Sequence, residues 1–317
     1  MPFDVTTIID ATAVSSEMLA YGTTTRRPGL RLTVGQREGY DVAIELGRFG
    51  VWHGAQHWGP ELAAGLEQAG YGALWLGASP GAGLRDAEVL LAATSSVAVG
   101  TSVVNIWKSP AEDVAESYHR LEETAPGRFL LGVGIGHREH STEYKSPYET
   151  VVSYLDELDD AKVPVERRAL AALGPKVLQL SGSRTAGALP YLTTPEHTRE
   201  ARRSLGGGVL LAPEQKVVLE TDVDIARTTG REYLATYLGL TNYVSNLKRL
   251  GFTDEDIADG GSDRLVDALV LHGSAVEIAE GLNAHLEAGA DHVAIQQLGR
   301  EGIDLLAGYE ALATVLQ

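Results

Sequence analysis

From about residue 47 onward, short apolar runs alternate with amphipathic segments that open on proline or stop on glycine. This alternation constrains the fold more than any other feature of the chain. Repeated strand-then-helix units force parallel pairing with crossovers of one hand, so the sheet must be doubly wound or closed into a barrel. The expected strands are 47–52, 73–76, 97–102, 128–135, 168–173, 186–192, 209–219 and 291–296. The expected helices are 60–70, 86–94, 110–123, 175–181, 195–204, 274–288 and 305–316, with a long helical stretch over 224–271. Ser109 is expected to cap the third helix, with Pro110 as its first residue. The near-continuous apolar run over 128–135 is typical of a strand buried on both faces. Eight βα units can be counted, so the fold class is α/β, a (β/α)8 TIM barrel. A chain of 317 residues suits one such barrel, of about 250 residues, with insertions. Residues 46–317 are read as the barrel domain, with an insertion over 212–267 ahead of the last βα unit. Residues 1–45 lack a clear period and are read as an N-terminal extension.

Composition removes several function classes. There are no cysteines, which excludes disulfides, thiolate zinc sites, iron–sulfur clusters and cysteine nucleophiles. The net charge of −17, from 43 acidic against 26 basic residues, repels nucleic acid and anionic lipid. A phosphate-bearing cofactor would need a local exception to that field. No apolar run reaches the roughly 20 residues of a membrane span, and no basic stretch followed by an apolar one opens the chain. The expectation is a cytoplasmic protein acting on a small molecule.

Several short motifs carry chemistry. His53, His57 and His137 each fall just past an expected strand end, on the face where barrels do catalysis. A lone loop histidine is more often a solvated side chain, and three at one rim raise the odds of a role. No HExxH motif or close histidine–carboxylate triad accompanies them, so no metal site is read. His272 and His292 read as structural. Gly132, Gly134 and Gly136 have the wrong spacing and position for a dinucleotide fingerprint. Small residues closing a strand, Gly136 above all, instead let a planar ring come close. Gly174, Pro175 and Lys176 stand where a strand meets a helix. A helix N-terminus there suits phosphate, although a plain turn with a surface lysine fits equally well.

Taken in order, ELGRFGVW (45–52), GALWLG (72–77), GTSVV (100–104), RFLLGVGIGH (128–137), AALGPK (171–176), YLGLTNY (237–243) and GADHVAIQ (289–296) resemble the luciferase-like monooxygenase superfamily. The likeness is strongest to its actinobacterial deazaflavin-dependent branch. It covers about residues 46–317 and leaves the extension unmatched. The resemblance implies a barrel with the cofactor ring at the C-terminal ends of the strands, and a homodimer. It implies a non-prolyl cis peptide under the ring, at Ser102–Val103 here. It also implies a cofactor phosphate and tail near Gly174, Pro175 and Lys176, with Leu192 and Thr193 as further contacts and His137 close to the ring. One departure matters. Relatives that oxidise alcohols carry a histidine after the second strand, where this chain reads LGASPG (76–81). The reading is therefore an F420-dependent reductase, with His53, His57 or His137 as proton donor. An FMN-dependent monooxygenase on the same fold and a non-catalytic binding barrel are the alternatives.

Overall fold

The computed structural model describes residues 44–136, 146–299 and 302–316. The first half runs β1 (Phe49–Gly54), α1 (Pro60–Gln68), β2 (Ala73–Gly77), α2 (Arg85–Ala93), β3 (Ala98–Thr101), β4 (Val104–Asn105), α3 (Ala111–Thr124), β5 (Phe129–Gly134) and α4 (Pro147–Asp160). It continues with β6 (Arg168–Leu170), α5 (Pro175–Arg184), β7 (Gly187–Ala188), α6 (Pro195–Leu205), β8 (Leu210–Leu211) and β9 (Glu214–Val218). The last part runs α7 (Val223–Leu234), α8 (Thr241–Arg249), α9 (Asp254–Ile257), α10 (Asp263–Leu269), β10 (Val270–His272), α11 (Ala275–Glu287), β11 (Val293–Gln297) and α12 (Leu305–Leu316).

All strand pairs are parallel, in the order β10-β9-β11-β1-β2-β3-β5-β6-β7-β8, with β4 added on β5. The sheet is strongly curled. Ala212 N–H donates to Ala188 O at 3.0 Å, while Pro213 O accepts from Ala294 N–H at 2.9 Å. One stretch of chain thus bonds the end of β7 on one side and β11 on the other. The result is a TIM-barrel-like α/β fold. Among the described residues it has eleven strands rather than eight. Pro213 interrupts β8 and β9, a two-residue β4 follows β3, and β10 adds a strand beyond β9.

Alternation along each strand sorts side chains into two layers. Trp52, Trp75, Ala98, Leu130, Ala169 and Ala294 belong to the cluster enclosed by the curled sheet. Val51, Leu74, Leu76, Val99 and Phe129 pack outward under the helices. Trp52 pairs with Trp75 and His53 with Leu76 across β1 and β2, which fixes His53 on the outer layer. The loop before β3 is held by Glu67, at the end of α1. Its carboxylate accepts from the backbone N–H groups of Ser95, Ser96 and Val97 at 3.0, 2.6 and 2.9 Å.

Two sequence expectations change. Pro110 has ψ 142°, outside the helical range, so it is the N-cap of α3 and Ser109 lies before it. Ser109 is instead buried, its carbonyl accepting from Tyr154 Oη at 2.9 Å. The sequence reading also passed over α4, whose Val151, Tyr154, Leu155 and Leu158 form an ordinary buried stripe. Among the described residues, no helix is long and apolar enough to cross a membrane.

Candidate active site

The C-terminal ends of β2, β3, β5, β6 and β7 open into one cavity of about 570 Å³. That volume is in the range of cofactor and substrate pockets. Its strand-end walls come from Ser79, Ser102, Val103, Gly136, Ala171 and Tyr191. Trp52 reaches up from β1, Tyr148 from the start of α4, and Tyr237 from the α7–α8 connection. Helix α8 covers one side with Tyr243, Asn246 and Arg249. The Ser102–Val103 peptide bond is cis, and both of its residues line the cavity. Ala78 and Ser79, which end the β2 connection at the rim, both take left-handed backbone conformations, at φ 58° each.

Charge in the cavity runs against the rest of the molecule. Lys108 and Arg249 line it, and no carboxylate does among the described residues. Arg249 donates to the carbonyl of Leu173 at 3.1 Å and to Asn246 Oδ1 at 2.5 Å, beside Gly174. Gly174 is the N-cap of α5, and no side chain caps that helix. Two buried donors at the cavity, Trp52 Nε1 and Asn246 Nδ2, have no hydrogen-bond partner among the described residues. A buried donor left without an acceptor costs about 1–3 kcal/mol.

The residues singled out in the sequence divide into two groups. Ser102, Val103, Gly136 and Gly174 come together on the cavity wall. Gly136 has φ 67°, and a Cβ there would stand 2.5 Å from Asn105 Nδ2, so glycine is required. Pro175 opens α5 behind Gly174, and Lys176 places its ammonium 4.0 Å from the ring centre of cavity-lining Tyr148. Leu192, at φ 56°, and Thr193 are buried beside Tyr191 without lining the cavity. Thr193 Oγ1 has no hydrogen-bond partner among the described residues.

The histidines are arranged differently from the expectation. His53 is buried in the outer layer, where its Nε2 lies 2.8 Å from Tyr309 Oη. Burial, with the charge of nearby His57 adding to it, lowers its pKa to about 3. His57 is exposed at the end of the 3-10 turn Ala55–His57, its ring centre 6.1 Å from that of His53. Neither lines the cavity. The reason is register: β1 runs to Gly54 and not Trp52, so His53 lies within the strand and points outward. His137 lies outside the described residues.

The sequence reading missed the aromatic and polar residues of the α7–α8 region. Tyr191, Tyr233 and Tyr237 bring their hydroxyls within 3.3 Å of one another, and Gln296 joins them. Beneath them Lys216 and Glu214 form a fully buried ion pair at 2.7 Å. Its sequence signal is two opposite charges at alternate positions, on either side of Gln215, in a strand that ends in two valines. Asn246 and Arg249 are one turn apart on α8, a spacing common on any helix surface.

Residues 57–161 match the family model of the luciferase-like monooxygenases, about a third of the chain. No curated protein sequence matches. Several solved structures share the fold. An F420-dependent secondary alcohol dehydrogenase, solved with an F420–acetone adduct, superposes with a TM-score of 0.67 at 14% identity, over 85% of this chain and 99% of that one. The F420-dependent tetrahydromethanopterin reductase of Methanopyrus kandleri gives 0.67 at 15% identity, over 85% and 98%. The FMN-bound oxygenating component of a Pseudomonas putida diketocamphane monooxygenase gives 0.56 at 15% identity, over 85% and 97%. At these identities the likeness is one of fold. It agrees with the resemblance read from the sequence, and the similar structures include both F420 and FMN proteins.

Proposed function

We propose that this chain is an oxidoreductase that holds a flavin-type cofactor in the cavity above Ser102–Val103. The cofactor proposed is the deazaflavin F420, used to reduce a small organic substrate. The observation that carries this reading is the charge inversion. In a chain of net charge −17, the cavity presents Lys108 and Arg249 and no described carboxylate. That is the local field a phosphate-bearing ligand needs.

The donors fit such a ligand. Asn246 Nδ2 and Trp52 Nε1 are buried without acceptors among the described residues, and a cofactor rich in carbonyl and phosphate oxygens would supply them. Gly174 at the uncapped start of α5, with Arg249 beside it and Lys176 one residue into the helix, would hold the phosphate end. Leu192 and Thr193 would follow its tail. Ser102, Val103 and Gly136 would bound the ring. When bound, F420 supplies a hydride in two-electron steps. The chain's own part is to orient the acceptor and exclude water, for which the Trp52, Tyr191 and Tyr243 rings are suited. Of the three candidate histidines, His53 is held neutral in the outer layer and His57 faces solvent. His137, next in the chain to Gly136, is the one retained as proton donor.

The test is calorimetric titration of the purified protein with F420 and with FMN at matched salt. Tight F420 binding with FMN ignored supports the reading. Preference for FMN, with oxygen consumed on turnover, moves the protein to the monooxygenases. Binding of neither ends the cofactor reading and makes a non-catalytic barrel the better account.

A further inference from the structure

The tyrosine cluster at the cavity wall has one proton more than it needs. Gln296 is buried, and its amide groups have fixed partners. Its Nε2 donates to Tyr233 Oη at 2.7 Å, and its Oε1 accepts from Tyr191 Oη at 3.2 Å. An amide nitrogen only donates, so Tyr233 Oη is the acceptor there. Tyr191 donates to Tyr237 Oη at 3.1 Å, with Gln296 Oε1 as a second acceptor for the same proton. Tyr191 then accepts from Tyr233 at 2.8 Å. The bonds run in one direction, from Gln296 through Tyr233 and Tyr191 to Tyr237. Tyr237 Oη also stands 3.3 Å from Tyr233 Oη, and no group in the chain depends on its proton.

Position makes that proton available. Tyr237 and Tyr191 line the cavity, whereas Tyr233 does not. Tyr237, at the end of the cluster, and Tyr191 are both half-buried. Lys216 places its ammonium 3.8 Å from the Tyr191 ring centre, with Tyr233 and Tyr237 at 5.4 and 5.8 Å. Chained hydroxyls polarise one another, so the terminal O–H is a stronger donor. The cluster carries no net charge, because Glu214 closes the ion pair with Lys216. A neutral acceptor therefore suits it better than a carboxylate. The surrounding walls are flat and aromatic: Trp52 and Tyr191 are 5.3 Å apart between ring centres, and Tyr237 and Tyr243 are 5.5 Å apart.

The geometry points to Tyr237 as the group that receives the oxygen of a neutral, planar, conjugated carbonyl compound. Tyr191, Tyr233 and Gln296 act behind it as positioning residues. This names the substrate class of the proposed oxidoreductase and rests on that reading for its role in turnover. The oxygen-binding site can be tested without turnover.

The probe is 4-dimethylaminocinnamaldehyde, a planar conjugated aldehyde whose visible absorption moves to the red when its carbonyl accepts a strong hydrogen bond. The wild-type protein is expected to bind it with a red-shifted band. Tyr237→Phe keeps the ring packing and removes the donor. It should weaken binding about tenfold, the effect of one lost hydrogen bond, and abolish the shift. Tyr233→Phe deletes a hydroxyl of the same cluster that does not reach the cavity. It should keep a shift, smaller than that of the wild type, and lower affinity by no more than about threefold. No binding by wild type, or the same shift in wild type and Tyr237→Phe, overturns the assignment. So does a shift lost equally in both variants, which would mark a merely structural cluster. Parallel titration with F420 separates the two claims. A Tyr237-dependent shift in a protein that ignores F420 leaves the carbonyl site standing and removes the cofactor reading.

Discussion

The indole N–H of Trp75 donates to Nε2 of His292 at 2.9 Å, and the other ring nitrogen of His292 meets the carbonyl of Gly47 at 2.9 Å. Indole is a donor only, so Nε2 must be the bare nitrogen and Nδ1 must carry the proton. The interior tryptophan of β2 thereby fixes the tautomer of a buried imidazole at the start of β11, and both ring nitrogens are satisfied only in the neutral form.

A pH dependence follows. Burial lowers the pKa of His292 to about 4, even though hydrogen bonds to Gly47 and Leu46 oppose the shift. Burial likewise lowers His53 and His285 to about 3 each. The unfolded chain takes up protons at these rings as pH falls below about 6.5, while the folded chain does not. Stability should therefore be flat in these groups above that pH and fall as pH drops toward 4 and then 3. The loss is up to about 1.4 kcal/mol per pH unit for each ring. Urea midpoints at pH 7.5, 6 and 5 read this directly. His292→Gln should be less stable at pH 7.5 and show a shallower slope. An unchanged slope would mean that His292 titrates alike in both states.

Glu67 works in the opposite direction. Desolvation raises its pKa, but the hydrogen bonds from Val97, Ser95 and Ser96 outweigh it and bring the carboxyl to about 2. A depressed carboxyl stabilises the fold above its unfolded value, near 4.5, and that contribution is lost as pH falls through 2. The site is partly exposed, so screening reduces its worth. Glu67→Gln should cost on the order of 1 kcal/mol at pH 7 and remove part of the acid sensitivity between pH 4.5 and 2. Thermal melts of the two proteins at pH 7 and pH 3 check it. Equal differences at both pH values would show that charge is not what Glu67 contributes.

The contrast between these residues marks what the sequence carries. Period and punctuation place most elements within a few residues, and His292 reads as structural from its position beside β11. Inside or outside is harder. The first strand was read as 47–52 and runs Phe49–Gly54. A shift of two residues keeps the parity of every side chain, but it turns His53 from a rim residue into an outer-layer one. Ser102 and Gly136 line the cavity; Gly136 is legible as a small residue closing a strand, and Ser102 only through the family resemblance. Tyr237, Asn246 and Arg249 are not legible, because their convergence depends on how the α7–α8 connection folds back over the strand ends. No local pattern encodes that path.

Asn246 offers a test of the cavity donors. Among the described residues its Nδ2 has no partner and its Oδ1 accepts only from the exposed Arg249, so the side chain adds little to folding. Asn246→Leu should leave the melting temperature unchanged or slightly higher, because a buried unsatisfied donor is removed. The same change should weaken binding of the preferred cofactor, F420 or FMN, about tenfold. Loss of stability without loss of affinity would make Asn246 a structural residue with an unseen partner.

The buried pair Glu214–Lys216 is the most exposed to single substitutions. Both side chains are almost fully excluded from solvent, at 2% and 1% exposure. Burial pushes the Glu214 pKa up and the Lys216 pKa down, against the attraction between them. A buried pair of this kind adds little net stability, yet removing one partner leaves the other without compensation. Lys216→Met should therefore cost about 3–5 kcal/mol at pH 7. Part of that loss should be recovered at acid pH, where the stranded carboxyl takes up a proton and no longer needs a partner. Glu214→Leu combined with Lys216→Met should return most of the stability, short of it by about 0.5–2 kcal/mol for the lost cation–π contact with Tyr191. Chemical denaturation of the single and double variants measures the coupling. Additive losses would mean that the two charges are stabilised separately by the tyrosines and the backbone near Leu192, and that the pair is not the unit that matters.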